Sequence, residues 1–161
     1  MRFTLIDRIV DLTPGEKIVA LKNLSMAEEY LADHFPGFPV MPGVLMLEAM
    51  TQASSWLIRA SEDFAHSTVL LKEARNVKFA NFLLPGQTLT VAAEILEQDE
   101  RLTRLKASGS VDGTLTVSAR LVLERYNLAD KRPDRRVADE VVKLKLRELF
   151  SLLYQPQVPA A

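Results

Sequence analysis

The sequence predicts an α+β fold: one buried helix early in the chain, then a run of long antiparallel strands. Three observations carry this. Residues 44–58 are apolar on every side, with Ala49, Ala53, Ser54 and Ser55 among larger side chains, and a helix apolar all round is normally buried. Residues 68–79, 88–96, 102–111 and 114–124 are rich in strand-forming residues, several in alternation. Asp112-Gly113, between the last two runs, is a strong two-residue hairpin signal. A lone apolar helix needs cover on most sides, and a strongly curved sheet can give it. These patterns fit other α+β folds as well.

Taken in order, residues 4–12 read as extended or as a short entry turn, and Thr13-Pro14-Gly15 turns the chain. Residues 16–24, with Ile18, Val19 and Leu21, read as a strand. Ser25-Met26-Ala27-Glu28 fits a capping box and predicts a short helix to about Leu31. Residues 34–42 cannot be helical, because Pro36, Pro39 and Pro42 fix φ and push each preceding residue toward an extended conformation. Pro42 suits the first position of the next helix, where its missing N–H costs nothing, and good helix formers run on to about Arg59. Residues 60–67 read as a polar loop and Pro85-Gly86 as a turn. Leu115, Val117, Ala119, Leu121 and Leu123 are expected on one face of the final strand. Phe35, Met46, Met50, Trp56, Phe79 and Phe82 are assigned to the core more readily than to a tunnel lining.

With 161 residues, 48% of them hydrophobic and 25% charged, the chain suits one soluble globular unit. A net charge of −1 gives no global basic field for nucleic acid. The absence of cysteine removes thiolate nucleophiles and cysteine zinc sites, and two histidines make a metal site a poor expectation. Arg2, Asp7 and Arg8 break any signal-peptide core, and no run is long enough to span a membrane. A cytoplasmic setting is the default. No Gly-x-Ser-x-Gly elbow and no phosphate-binding glycine motif is present.

Residues 34–52 hold the chemistry. His34 precedes the proline loop, and Glu48 sits on the otherwise apolar helix. Alone, His34 reads as a solvated or capping histidine. A carboxylate is seldom buried without a partner, so Glu48 reads either as half of an ion pair or as a perturbed functional acid.

Their setting resembles the FabZ-type 3-hydroxyacyl-(acyl-carrier-protein) dehydratases, which have the hot-dog fold. The resemblance rests on His34-Phe35-Pro36, Pro39, Pro42-Gly43-Val44-Leu45 and Glu48-Ala49-Met50 with Gln52. Leu5 to Leu12, Pro14-Gly15, Val77-Lys78-Phe79 and Leu84-Pro85-Gly86 extend it, so that it covers roughly residues 3–125. It implies a curved antiparallel sheet wrapped around one long central helix. It also implies dehydration of (3R)-3-hydroxyacyl-(acyl-carrier-protein) to the trans-2-enoyl product in fatty acid or related lipid synthesis. His34 and Glu48 would be catalytic, and Gly43, Val40 and Val44 would bind substrate, with the Val40 carbonyl orienting the histidine. No metal or other cofactor is implied. The partner would be an acyl carrier protein presenting its phosphopantetheine-linked chain. The assembly would be a homodimer whose sites combine the histidine of one protomer with the glutamate of the other. A trimer of dimers is the higher assembly the resemblance allows.

The residue chemistry suits an elimination. Neutral imidazole has an ordinary pKa of about 6.5 and can take a proton from C2. Burial beside apolar groups would favour the protonated form of Glu48, which could then protonate the leaving hydroxyl. The first-turn N–H of Gly43 has no intrahelical acceptor and can meet the charge developing on a thioester oxygen, helped by the helix dipole. Two rivals share the fold: an acyl-thioester hydrolase that activates water with Glu48, and a non-catalytic carrier-binding subunit.

Two departures stand out. Where the family carries further basic residues and a proline after Val77-Lys78-Phe79, this chain has Ala80-Asn81-Phe82, which removes expected contacts to an acidic carrier. The resemblance also stops near Arg125. The division expected is therefore a hot-dog domain over residues 1–126, followed at 127–161 by a linker and an amphipathic helix. That helix is expected at about 135–154, with Val142, Leu146, Leu149 and Leu153 at helical spacing and Gln155-Pro156 ending it. Packing of this stripe on its own domain or dimer partner is the simpler expectation. Its basic residues, Lys143, Lys145, Arg147 and the Arg135-Arg136 pair, give the alternative of carrier docking.

Overall fold

The computed structural model describes residues 3–155. Arg2 and Pro156, both used in reading the sequence, lie outside the described residues. Six strands form one antiparallel sheet: β1 (Arg8–Thr13), β2 (Lys17–Asn23), β3 (Thr68–Phe79), β4 (Thr88–Gln98), β5 (Leu102–Val111) and β6 (Thr114–Tyr126). Their order is β1-β2-β4-β5-β6-β3, which leaves β1 and β3 as edges. The long helix α1 (Gly43–Ser61) joins β2 to β3 by way of the proline loop, and α2 (Arg136–Leu153) follows β6.

One helix touches five of the six strands, β2 to β6. Strands spaced about 4.8 Å apart would carry the outer ones beyond a helix some 10–12 Å wide unless the sheet curled. Register shifts in β1, β3, β4 and the β5–β6 pair supply the bends. Alternation does the rest. Ile18, Ala20, Leu89, Val91, Ala93, Leu105, Ala107, Val117, Ala119, Leu121 and Leu123 point inward, against Met46, Ala49, Met50, Ala53, Leu57 and Ile58 of α1. Gly109 marks a close approach: a Cβ there would lie 2.8 Å from Val117 and 2.9 Å from Leu89. Asp112 and Gly113 both have positive φ, 48° and 80°, as a type I′ hairpin requires.

Several expectations are corrected. Pro42 is the N-cap of α1 rather than its first residue, so Gly43 takes that position. α1 runs two residues into the expected polar loop, to Ser61, and Phe64 in the following turn is buried. The capping-box helix is only a 3-10 turn, Glu29–Ala32, with no side-chain cap. Glu28 instead pairs with Lys22, a cation almost fully buried that needs a carboxylate. Leu115 leaves the inward face and is exposed, because the irregularity between Gly109 and Ser110 shifts the pairing there. Phe35, Phe79 and Phe82 are exposed rather than core, whereas Met46, Met50 and Trp56 are buried.

The junction with α2 is polar. Arg125 continues the inward face of β6 and is 4% exposed. It donates to Glu62 at the end of α1 (2.6 Å), to Thr103 (3.0 Å) and to the Asp99 carbonyl. Asp139 of α2 is likewise buried. Its carboxylate accepts from the Ser67 hydroxyl and from the N–H groups of Leu128 and Ala129, each 2.9 Å away. Arg147 pairs with exposed Asp63 (2.7 Å) and lies over the Phe64 ring. Leu149, Phe150 and Leu153 face the domain, and the Phe150 ring sits 6.0 Å from Trp56. Val142 of the expected apolar stripe is exposed, as are Val141 and Leu152 beside it.

Candidate active site

The loop before α1 is held by paired backbone bonds. Phe35 and Phe38 exchange N–H···O bonds of 3.1 and 2.9 Å around Gly37, whose φ is 82°. The Val40 N–H donates to the His34 carbonyl (3.0 Å), while His34 Nδ1 lies 2.9 Å from the Val40 carbonyl. A carbonyl only accepts, so Nδ1 carries the hydrogen and the neutral ring keeps its lone pair on Nε2. The His34 ring is partly buried and stacks on Phe35, 4.0 Å between centroids.

That ring lines a cavity of about 510 Å³ together with Val40, Gly43, Val44, Phe79 and Phe82. Gly43 stands at the start of α1, and a Cβ there would meet the Phe79 ring at 3.0 Å. The N–H groups of Gly43 and Val44 have no backbone acceptor among the described residues. Both residues line the cavity together with His34, at the positive end of the α1 dipole. Three of the predicted site residues thus gather with His34: Val40, Gly43 and Val44.

Glu48 does not join them. It lines a second cavity, of about 470 Å³, with Gln52, Ser55, Trp56 and Arg59 along the open strip of α1. Gln52 Nε2 donates to Glu48 (3.0 Å) and to the Phe3 carbonyl (3.1 Å), and Gln52 Oε1 accepts from the Leu5 N–H (2.8 Å). The amide thus fixes Glu48 and straps the N-terminal segment to α1. Glu48 is only partly buried in the single chain, so the full burial expected from an all-apolar helix is not met. The other histidine, His66, pairs with Glu62 at 3.0 Å and lines neither cavity.

Reading the sequence missed the exposed aromatic rim, Phe79 and Phe82, and the role of Arg59. Nothing in composition separates a rim phenylalanine from a core one. Arg59 was legible: it lies on the Glu48 side of the helix, at helical spacing from Gln52 and Ser55.

A long helix wrapped by a curved six-stranded antiparallel sheet defines a hot-dog protein. A chain of the dehydratase heterocomplex ApeI:P from Xenorhabdus doucetiae shares this fold, with a TM-score of 0.65 at 22% identity over 78% of this chain and 85% of that one. A family model described as a FabA-like domain matches residues 1–120. A 3-hydroxyacyl-[acyl-carrier-protein] dehydratase FabZ from Ruminiclostridium cellulolyticum is 38% identical over 74% of this chain and 84% of its own length. A FabZ from Levilactobacillus brevis is 40% identical over 71% of this chain and 78% of its own. The chain belongs to the FabA-like family and, within it, is of the FabZ type.

Proposed function

We propose that this protein dehydrates (3R)-3-hydroxyacyl chains on an acyl carrier protein to trans-2-enoyl chains, at sites shared by two copies. Its FabZ-type relatives support the reaction. The observation that carries the shared site is the division of the groups: a base and N–H donors in one cavity, the acid in another. His34 Nε2 takes the C2 proton, since Nδ1 is committed to Val40. Charge moves onto the thioester oxygen, which the N–H of Gly43 holds at the head of α1. The C3–O bond breaks, and protonated Glu48 of the second copy supplies the proton that completes water. The second copy would also finish burying Glu48.

The free edge of β3, with Leu70 and Leu71 exposed, supports pairing of two copies there. Residues 1–126 would form the catalytic domain in this reading, with 127–161 an appended segment and the cytoplasm as the setting. Carrier docking through the α2 basic face has less support, because Lys143 pairs with Glu140 (3.1 Å) and Arg147 with Asp63.

The test uses carrier-bound 3-hydroxyacyl substrate, following both enoyl formation and thiol release. Dehydration without thiol release is expected. Thiol release alone would favour the hydrolase, and neither product the binding subunit. His34→Ala and Glu48→Gln should each lose most turnover while staying folded, and mixing them under subunit exchange should restore part of it. No recovery despite proven exchange would refute the shared site.

A further inference from the structure

The Glu48 cavity holds a cation with no hydrogen-bond partner among the described residues. Nε and Nη1 of Arg59 are buried and unpaired there. Burial pushes the guanidinium down to about 10, and its one close aromatic neighbour among the described residues is Trp56, 6.0 Å from the ring centre. The hydroxyls beside it are turned to the helix backbone, Thr51 donating to the Leu47 carbonyl and Ser55 to the Thr51 carbonyl, and neither accepts from Arg59. Glu48, the one acid on this wall, lies three turns away and is held by Gln52. A buried charge left unpaired is costly, and a carboxylate binds guanidinium through two parallel hydrogen bonds.

The position has meaning along the reaction axis. Resting on the dehydratase reading, Glu48 marks C3 of the substrate, and the open strip of α1 leads from it to Arg59. Helical rise separates the two by about 16 Å, less what the long arginine side chain recovers by leaning toward the helix start. An extended acyl chain on the order of ten carbons spans that gap. Leu146 and Leu149 of α2 line the same cavity. The helix beyond the family match at residues 1–120 thus shapes the far end of the site.

We propose that Arg59 binds a carboxylate at the far end of the acyl chain, so that the preferred substrate is a 3-hydroxyacyl thioester with an ω-carboxyl group. A methyl end would leave the guanidinium unpaired, and a site built for a polar group rejects the analogue lacking it.

The test compares carrier-bound 3-hydroxyacyl chains ending in carboxyl or methyl, at matched lengths. In the wild type, kcat/KM should favour the carboxyl end by at least about tenfold near ten carbons, with no preference in the shortest chains. In Arg59→Met the ratio should fall to one or below, and Arg59→Lys should recover part of it. Equal ratios in wild type and Arg59→Met would overturn the assignment. So would conversion of Arg59→Met to a monomer, which would make Arg59 an interface residue. If neither chain is dehydrated at any length, the dehydratase reading fails. Calorimetric binding of ω-carboxyl and ω-methyl acyl-pantetheine thioesters then decides alone: preference lost in Arg59→Met supports the site, and no preference refutes it.

Discussion

The two long helices are held in opposite ways. α1 turns an apolar face to the sheet and is fixed by shape: Ala49 and Ala53 are fully buried and let it sit close on the sheet, while Leu57 and Ile58 fill the space beside it. α2 is strongly amphipathic, yet buries only Asp139 and Leu153 fully. Its place is set by a few polar bonds, those of Asp139 and Arg147, and by the Phe150 ring against Trp56 and Phe64. The helix that carries Glu48 and Gly43 cannot move without breaking the core. The helix that borders the far end of the Glu48 cavity can be loosened by itself.

Breaking α1 should therefore have the largest effect. Leu57 has no exposed surface, and Leu57→Ala should cost about 2–5 kcal/mol through lost burial and a residual cavity. Denaturant melts should show the loss for the whole chain, because α1 touches nearly every strand. Survival of the sheet signal after α1 has melted would contradict this.

The anchor of α2 should be next. Asp139→Ala strands the Ser67 hydroxyl and two backbone N–H groups, at about 1–3 kcal/mol, concentrated in α2. Hydrogen exchange should rise across Arg136–Leu153 with the strands still protected. pH provides a milder version. Burial opposes ionisation of Asp139. Hydrogen bonds from Ser67, Ala129 and Leu128, with Lys143 nearby, outweigh it and hold the carboxyl below its ordinary range. A carboxyl lowered in the folded state stabilises fully above its unfolded value, about 3.9, and loses that contribution as pH falls through the folded value. α2 should thus loosen below about pH 4. The single tryptophan, Trp56, whose ring lies tilted against Phe150, should report it by fluorescence. In Asp139→Asn this acid transition should be reduced.

The same contrast explains what could be read in advance. Strands β3 and β5 emerged with the bounds expected because alternation and the Asp112-Gly113 turn are local signals. His34, Val40, Gly43 and Val44 meet in one cavity because the proline loop that joins them is also local. The failures involve partners on other elements of the fold. Leu115 was lost to a bulge set by the neighbouring strand. Glu28 left its helix for Lys22. Arg125 and Asp139 anchor through residues some sixty or seventy positions away. Even so, both left a trace: Arg125 continues the alternation of Leu121 and Leu123, and Asp139 lies on the same helical stripe as Leu146, Leu149 and Leu153. A charge at an inward position is a signal of a buried anchor.

Arg147 should give the smallest effect. Its ion pair with Asp63 is well formed, and Asp63 is held below the usual carboxylate range by the guanidinium's hydrogen bond and charge. Both groups are exposed, however, with side-chain accessibilities of 45% and 89%. Water solvates them almost as well apart, and holding two flexible side chains together costs entropy. Contact with the Phe64 ring adds only the modest attraction of an exposed cation–π pair. Arg147→Ala should therefore lower stability by no more than about 1 kcal/mol, less in high salt. Exchange should rise only in the last turns of α2. A loss matching Asp139→Ala would mean that the exposed pair, and not the buried carboxylate, holds the helix, and the ranking of the two anchors would have to be reversed.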